Sequence, residues 1–537
     1  MIFRATEQWF IKLDAAARGR QSPTLRERAL GEVDKVRWTP EWGHDRMRSM
    51  IVERPDWCVS RQRFWGVPIP VFYCEACGKT FEDVPALRNV IEWFKREGAD
   101  AWFRHSPEEL LPAGAKCSCG ASKWRKENDI LDVWFDSGSS HLAVLGKDGL
   151  PWPADMYLEG PDQFRGWFHS SLLIGAAIRD AAPYRHVLTY GWAVDEQGDP
   201  MSKSRGNVIL PRDICEKWGA DLLRLWVASQ DYATDMRLSD DVMKQLAEAY
   251  RKIRNTFRFA LSNLYDFDPS RDAVPDAQLE EFDAWMLQRT SVLLGQCQAW
   301  YENFEFHRVY HALHDFITVD LSAFYFDILK DRLYTFAAAG RERRSAQTAI
   351  WRIADALLRL FTPILVFTSE EIWKCFPRGA KAEQSIHMSV FRKPEELPVA
   401  FDSAKSERWM LLASVRDEVL KALEAARNSK QIAGALEARV ILSASGNLAA
   451  VLSACVKSLP ALFIVSQVEL APATPADARP ADGVAGLAVA VRRADGKKCE
   501  RCWNYSIHVG ESSKFPTVCE RCLPVVEAIL GGAVAAS

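Results

Sequence analysis

Four cysteines near the end of the chain constrain its folding most. They form two short pairs, Cys499-Glu500-Arg501-Cys502 and Cys519-Glu520-Arg521-Cys522. Two CxxC pairs at this separation suit four thiolates around one zinc ion, which folds the intervening chain into a small ribbon. Two earlier pairs, Cys74/Cys77 and Cys117/Cys119, offer a second closed tetrahedral set. Gly78 and Gly120 follow these pairs, where a tight metal-binding knuckle needs a positive φ. The long intervening loop and the CxC spacing make this second site less characteristic. Its alternative is a set of cysteines that has lost its metal. Eight of the 13 cysteines are thereby assigned. Such clustering points to metal in a reducing compartment rather than to disulfides. The other five, Cys58, Cys215, Cys297, Cys375 and Cys455, read as small core residues.

A chain of 537 residues exceeds a single core, so three or more domains are expected. The net charge of -3 neither advertises nor excludes a nucleic-acid partner, because local basic faces decide that. No apolar run reaches membrane-spanning length. The start, MIFRATEQWFIKLD, lacks the basic-then-apolar pattern of a signal peptide. A cytoplasmic protein without membrane contact is the expectation.

The opening stretch, to about Trp57, is mixed, with Trp9, Trp38, Trp42 and Trp57 in loop-like settings beside Pro40 and Pro55. From Asp129 to Ala228 strand-like and helical stretches alternate. Residues 130–135 read as a strand ending at Asp136-Ser137-Gly138. Residues 156–160 read as another, broken at Pro161; 163–181 as a buried helix; 186–194 as a third strand. That alternation predicts a parallel α/β sheet. Ligands in such sheets bind beyond the C-terminal ends of the strands. Asp136, Glu159, Gly160, Asp162 and Gln163 fall at such ends. So does the loop Met201-Ser202-Lys203-Ser204-Arg205-Gly206-Asn207, whose ammonium between two hydroxyls suits phosphate oxygens. Taken alone, such a loop is more often plain solvated surface, and the alternative for Asp162 is a helix N-cap.

Beyond about Asp221 the chain turns helical. Leu246, Tyr250, Ile253, Phe257, Leu261 and Leu264 keep one helical stripe. Arg251, Arg254 and Arg258 form another face, either solvated or tracking phosphates. Helices around 285–301, 307–334 and 349–367 predict a bundle. Thr368-Ser369-Glu370-Glu371 resembles a capping box opening the next helix. After a link at 393–399, a helix at 407–427 and strands at 438–443, 462–470 and 487–492 predict a small α/β unit. The low-complexity stretch 471–484 reads as a flexible surface loop. Lys497, Lys498, Arg501, Trp503 and Arg521 give the terminal module basic groups beside an aromatic, a combination suited to RNA.

Together these segments resemble the isoleucine–tRNA ligase family of class I aminoacyl-tRNA synthetases. The loop at Lys203 matches the family's KMSKS signature, and LEGPDQFRGWFHSSLL matches its adenylate-binding segment. DWCVSRQRFWG and LDVWFDSGSS match two further catalytic segments, and GADLLRLWVAS the junction to the anticodon-binding helices. CERCWNYS with the later CERC is similar to the C-terminal zinc module, and favours the isoleucine family over its valine and leucine relatives. The resemblance runs from near Phe3 to about Leu523. Two departures stand out. Pro200 occupies the position of the signature's first lysine, and the chain contains no HIGH-type motif. The family carries that motif, and most of its editing domain, before the segment matched by Ile2-Phe3-Arg4-Ala5-Thr6. The chain is therefore expected to be the C-terminal part of a longer enzyme, unable alone to catalyse ATP–pyrophosphate exchange.

The fold implied is multidomain, α/β plus α: the C-terminal half of a Rossmann-like catalytic domain, a helical anticodon-binding bundle, a small α/β unit and a C-terminal zinc ribbon. The expected boundaries are a catalytic segment at 1–57, a catalytic segment with a zinc-binding insertion at 58–128, and the second catalytic half with its KMSKS loop at 129–220. The bundle follows at 221–400, the α/β unit at 401–492, the zinc module at 493–526 and a tail at 527–537. The activity implied is ATP-dependent activation of L-isoleucine to isoleucyl-adenylate and transfer to tRNA(Ile), by a monomer. Lys203 would be the catalytic residue on the triphosphate. Glu159, Gly160, Asp162, Gln163, Met201, Ser202, Lys203 and Ser204 would surround ATP and adenylate. Trp134 and Trp167 resemble walls of the isoleucine pocket, or are ordinary core. Mg2+ would accompany ATP, and one or two Zn2+ would be structural. The alternatives are a valine- or leucine-type ligase and a non-catalytic, zinc-containing tRNA-binding protein.

Overall fold

The computed structural model describes residues 6–16, 23–379, 382–397 and 401–535. The segment matched at Ile2–Ala5 and the end of the 393–399 link lie outside them. The chain forms two compact units, residues 1–200 with 232–237, and residues 201–231 with 238–537.

The first unit is built on three parallel strands, with His186–Thr189 between Arg37–Thr39 and Tyr157–Glu159. All four residues of the central strand are buried. The helix Trp167–Ile178 buries nine of its 12 residues, as a helix covering a parallel sheet must. The helices Leu25–Val33 and Trp42–Val52 complete the core with Ala29, Val33, Met47 and Ile51. Thr24 and Glu27 cap the first of these reciprocally.

Sequence and structure part at three places in this unit. The run at 130–135 is a strand only at Ile130–Leu131, and Val133–Gly138 is helical. The Asp132 carboxylate accepts from the Trp134 N–H at 3.3 Å and from Trp57 Nε1 at 3.1 Å, which turns the chain out of the sheet. Asp136 consequently lies on a helix, not at a strand end. The run at 186–194 breaks after Thr189, where Gly191 N donates to Tyr232 O at 2.7 Å. Ala193–Val194 then pairs with Met236–Arg237 instead. The opening is also more regular than its tryptophans suggested. Trp38 sits in a strand, Trp42 begins a helix and Trp57 is a buried strand residue.

Phe72–Cys74 pairs with Trp124–Lys126 at the base of an insertion with its own small core of Phe72, Val90, Trp102, Leu110 and Trp124.

The second unit opens with helices, among them Ala220–Ser229, Asp240–Asn263, Glu281–Glu302, Arg341–Phe361 and Val366–Cys375. In Asp240–Asn263 the stripe residues Leu246, Ile253 and Phe257 are buried and Arg251, Arg254 and Arg258 are exposed. The stretch at 307–334 is not one α-helix. Phe306–Asp315 and Phe326–Thr335 are joined by ten π-helical residues, Phe316–Tyr325. The expected capping box at Thr368 is absent. Thr368 lies inside the helix Val366–Cys375, and the Asp221 carboxylate receives the N–H groups of Phe367 and Thr368.

The helix Ser403–Asn428 then packs on a four-stranded sheet ordered Gln467–Leu470, Ala438–Ala444, Leu487–Arg493, Arg479–Pro480. The strand expected from 462 begins only at Gln467. Leu459–Phe463 is a short helix ended by Ile464 in a left-handed conformation, φ 57°. The low-complexity stretch is anchored: Arg479–Pro480 pairs as an edge strand, and the Glu418 carboxylate accepts from the N–H groups of Asp482 and Gly483, each at 3.2 Å. Of the five unpaired cysteines only Cys297 is buried. Cys58, Cys215 and Cys455 are half-buried and Cys375 is exposed, so it is not a core residue.

Candidate adenylate site and metal centres

The first unit gathers one set of polar and aromatic groups around the end of the strand Tyr157–Glu159. Gly160 leaves the strand into the tight turn Pro161–Arg165, and Gly166 leads into the helix Trp167–Ile178. Glu159 Oε2 accepts from the Tyr190 hydroxyl at 3.0 Å. Burial and the Glu159 carboxylate push the Tyr190 hydroxyl pKa up, so it stays a donor. Asp162 is exposed and does not cap the helix; its Oδ2 accepts from Gln163 Nε2 at 2.8 Å. Gln163 Oε1 accepts from the Trp167 N–H at 3.0 Å, satisfying one of the donors at the helix start.

Two indoles flank this segment with part of their surface open. Trp134 is 39% exposed and its ring lies on Gly166, where a Cβ would come within 2.6 Å of Cη2. Trp192 is 48% exposed and lies beside Gly160. Trp192 was not singled out in the sequence, where it reads as part of a strand. Trp167 is held differently. Its ring stacks on Tyr157 with centroids 3.9 Å apart, and its Nε1 donates to Ser137 O at 3.1 Å. Burial and the neighbouring Asp132 push Asp136 up to about 6. Carboxylates, an amide and aromatic faces suit ribose hydroxyls, an ammonium group and an apolar side chain. The same carboxylates would repel phosphate.

In the second unit the loop at 201–207 closes on itself. Ser202 N donates to Asn207 Oδ1 at 2.9 Å, the Ser202 and Ser204 hydroxyls are 3.2 Å apart, and Gly206 turns the chain at φ 70°. Lys203, Ser204 and Arg205 are exposed, and Met201 and Ser202 are half-buried. The Lys203 ammonium therefore sits on a preformed turn. The holding role of Asn207 had no signal beyond its place in the motif.

Both cysteine quartets converge. Within each, four sulfurs lie within 4.8 Å of one another. Cys74–Cys119 and Cys77–Cys117 are 3.6 Å apart, and Cys502–Cys519 3.7 Å. Four thiolates about 2.3 Å from a zinc ion would be separated by about 3.8 Å, so both donor sets fit zinc. The terminal quartet is fully buried; in the other, Cys77 and Cys119 are exposed. Gly78 and Gly120 take φ of 72° and 87°, and Trp503 takes the equivalent place after Cys502 at 65°. The backbone N–H of Cys119 pulls the Cys117 thiol down to about 6, which favours the thiolate a metal needs. Arg501 and Arg521, expected to face RNA, are used internally: Arg501 donates to Thr335 O at 3.1 Å and Arg521 pairs with Asp331. Lys497, Lys498 and Trp503 remain exposed.

Comparison with known proteins matches three family models: "tRNA synthetases class I (I, L, M and V)" over residues 1–239, "Anticodon-binding domain of tRNA ligase" over 283–442, and "Zinc finger found in FPG and IleRS" over 496–525. An isoleucine–tRNA ligase of Syntrophotalea carbinolica is 50% identical over 530 residues, covering 98% of this chain and 56% of that protein. One from Carboxydothermus hydrogenoformans is 49% identical over 531 residues, with the same shares. The chain belongs to the isoleucine–tRNA ligase family. It spans about half the length of the curated ligases it matches. A solved LeuRS–tRNA–LeuAMS complex from Agrobacterium radiobacter K84 overlaps 64% of this chain and 42% of that one, with a TM-score of 0.47 at 20% identity. In this member of the isoleucine–tRNA ligase family, the Glu159–Gln163 segment and the Lys203 loop fall in the class I match, and the buried cysteine quartet falls in the zinc finger. No helix among the described residues is long and apolar enough to cross a membrane.

Proposed function

We propose that the chain acts, as part of a longer monomeric cytoplasmic protein, in activating L-isoleucine with Mg-ATP and transferring it to tRNA(Ile). The observation that carries this reading is the polar and aromatic set around Glu159–Gln163 at the C-terminal end of a parallel strand, in a chain of this family. Glu159 and Asp162 accept hydrogen bonds from ribose hydroxyls and from the substrate ammonium. Gly160 lets the adenylate approach the backbone, and Gln163 supplies a donor and an acceptor. Trp134 gives the isoleucine side chain an apolar wall, with Trp167 packed behind. The isoleucine carboxylate attacks the α-phosphate and pyrophosphate leaves. Lys203 offsets the charge that builds on the triphosphate, and Met201, Ser202 and Ser204 hold the loop around it. A contact of this kind contributes about 3 kcal/mol to the transition state. Positioning and charge do most of the work in such chemistry.

Zinc in both quartets holds their knuckles shut and takes no part in the reaction. Arg251, Arg254 and Arg258 on the bundle, and Lys497, Lys498 and Trp503 on the terminal module, are the tRNA contacts. The test is pyrophosphate exchange by a protein extended to the relatives' full length. Exchange that depends on isoleucine supports the proposal. Exchange driven by valine or leucine transfers the reading to a sibling ligase. No exchange, with tRNA still bound, points to a non-catalytic tRNA-binding protein.

A further inference from the structure

The terminal cysteine module meets the bundle helix Phe326–Thr335 through a side chain next in sequence to a cysteine of the quartet. Arg521 lies between Glu520 and Cys522 in the second knuckle. Its guanidinium engages Asp331 with both arms, Nη1 to Oδ2 at 2.5 Å and Nη2 to Oδ1 at 2.8 Å. It lies over the Phe336 ring, 5.5 Å from the centroid, and shares the wall of one cavity with Cys502. From the first knuckle, Arg501 Nη2 donates to Thr335 O at 3.1 Å. Thr335 in turn donates its hydroxyl to Asp331 O at 2.8 Å, with Asp331 Oδ1 3.1 Å away. Both knuckles therefore send an arginine to the last turn of one helix. A cavity of about 710 Å³ lies between that helix, the segment 457–466 and the module, with Asp331, Thr335, Cys502, Trp503 and Arg521 in its wall.

We propose that Arg521 is a positioning residue that couples metal occupancy of Cys499, Cys502, Cys519 and Cys522 to the order of the helix end at 331–336, and so to the shape of this cavity. The proposal rests on the reading of that quartet as a zinc site. A guanidinium forked onto Asp331, on a residue whose chain neighbour Cys522 belongs to the quartet, is fixed at both ends. A zinc knuckle keeps its shape only while the metal holds its ligands. Opening the knuckle withdraws both arginines, and the helix end loses the Asp331 fork, the Thr335 carbonyl bond and the Phe336 contact together. Linkage is reciprocal: if the metal orders the helix end, the helix end retains the metal. A plain docking contact would lack that reciprocity. It would contribute to stability and leave metal retention unchanged.

The experiment uses the full chain, with metal content measured first. Hydrogen exchange at 331–336 is followed with and without a chelator, and metal release to a chromogenic chelator is timed, in wild type, Arg521→Gln, Arg521→Lys and Asp331→Asn. Chelation should speed exchange at 331–336 about tenfold or more in wild type. It should add little in Arg521→Gln, where exchange is already fast. Asp331→Asn, which removes no ligand, should release metal several-fold faster and shift the cobalt–thiolate absorption of the cobalt-loaded chain. Arg521→Lys, keeping charge without the fork, should fall between. If Arg521→Gln does not fold, Asp331→Asn carries the test alone. Metal bound but exchange unchanged on chelation, or Asp331→Asn releasing metal at the wild-type rate, overturns the coupling alone. A quartet without metal overturns both the zinc reading and the coupling.

Discussion

Asp221 accepts from both the main-chain N–H and the hydroxyl of Thr368, at 2.7 and 2.6 Å, across 147 residues of sequence. A carboxylate from the first turn of one helix thus serves as the cap of another, a task a local serine or threonine usually performs. Asp221 is buried, so its loss leaves two helix-start donors and a hydroxyl without their acceptor. Asp221→Ala should destabilise the bundle by about 2 kcal/mol, and Asp221→Asn by about half as much. Denaturant unfolding with hydrogen exchange at 366–369 measures both; equal stability of all three proteins would refute the capping role.

Gly166 should matter for both ligand and stability. A Cβ there would come within 2.6 Å of the Trp134 ring, which is 39% exposed, and within 2.8 Å of Gln163 Oε1. Gly166→Ala should cost about 1–3 kcal/mol of stability, as overpacking at a buried position does. Displacing the wall should slow adenylate formation in the extended protein about 100-fold. Trp134→Ala serves as the control. If Gly166→Ala has the wild-type rate while Trp134→Ala is slow, Gly166 does not set the ring.

Asp136 makes stability depend on pH. Burial and the Asp132 carboxylate raise its pKa from 3.8 to about 6. An acid with a raised folded pKa favours the fold when neutral. Its contribution is complete below pH 3.8 and disappears as pH rises to about 6. Because Asp136 is only half-buried, solvent screening reduces the effect to about 1 kcal/mol. Asp136→Asn should therefore be more stable than wild type at pH 7.5 and equal to it near pH 4. A constant difference across that range would remove Asp136 as its source.

The parallel sheet was legible because the runs at 156–160 and 186–194 alternate with an apolar helix, although the second strand ends at Thr189, before Gly191. The metal centres were legible because cysteine spacing carries the geometry with it. Most of what escaped has one physical origin: partners distant in sequence. The run at 130–135 looks like a strand until Asp132 is found receiving the indole of Trp57. Thr368-Ser369-Glu370-Glu371 looks like a cap until Asp221 arrives from another helix. Arg501 and Arg521 show their charge in the sequence but not Thr335 and Asp331, which use it. The ten π-helical residues at Phe316–Tyr325 have no pattern distinct from an α-helix.

The proposed role of Lys203, alone of its signature's two lysines, is to support adenylate formation. It is tested most directly by isoleucine-dependent exchange of labelled pyrophosphate into ATP, comparing Lys203→Ala with wild type in a protein extended to the relatives' full length. The expected rate is lower by about 100- to 1,000-fold, the loss of one preorganised charge contact. Isoleucine-dependent exchange at the wild-type rate in Lys203→Ala would contradict it.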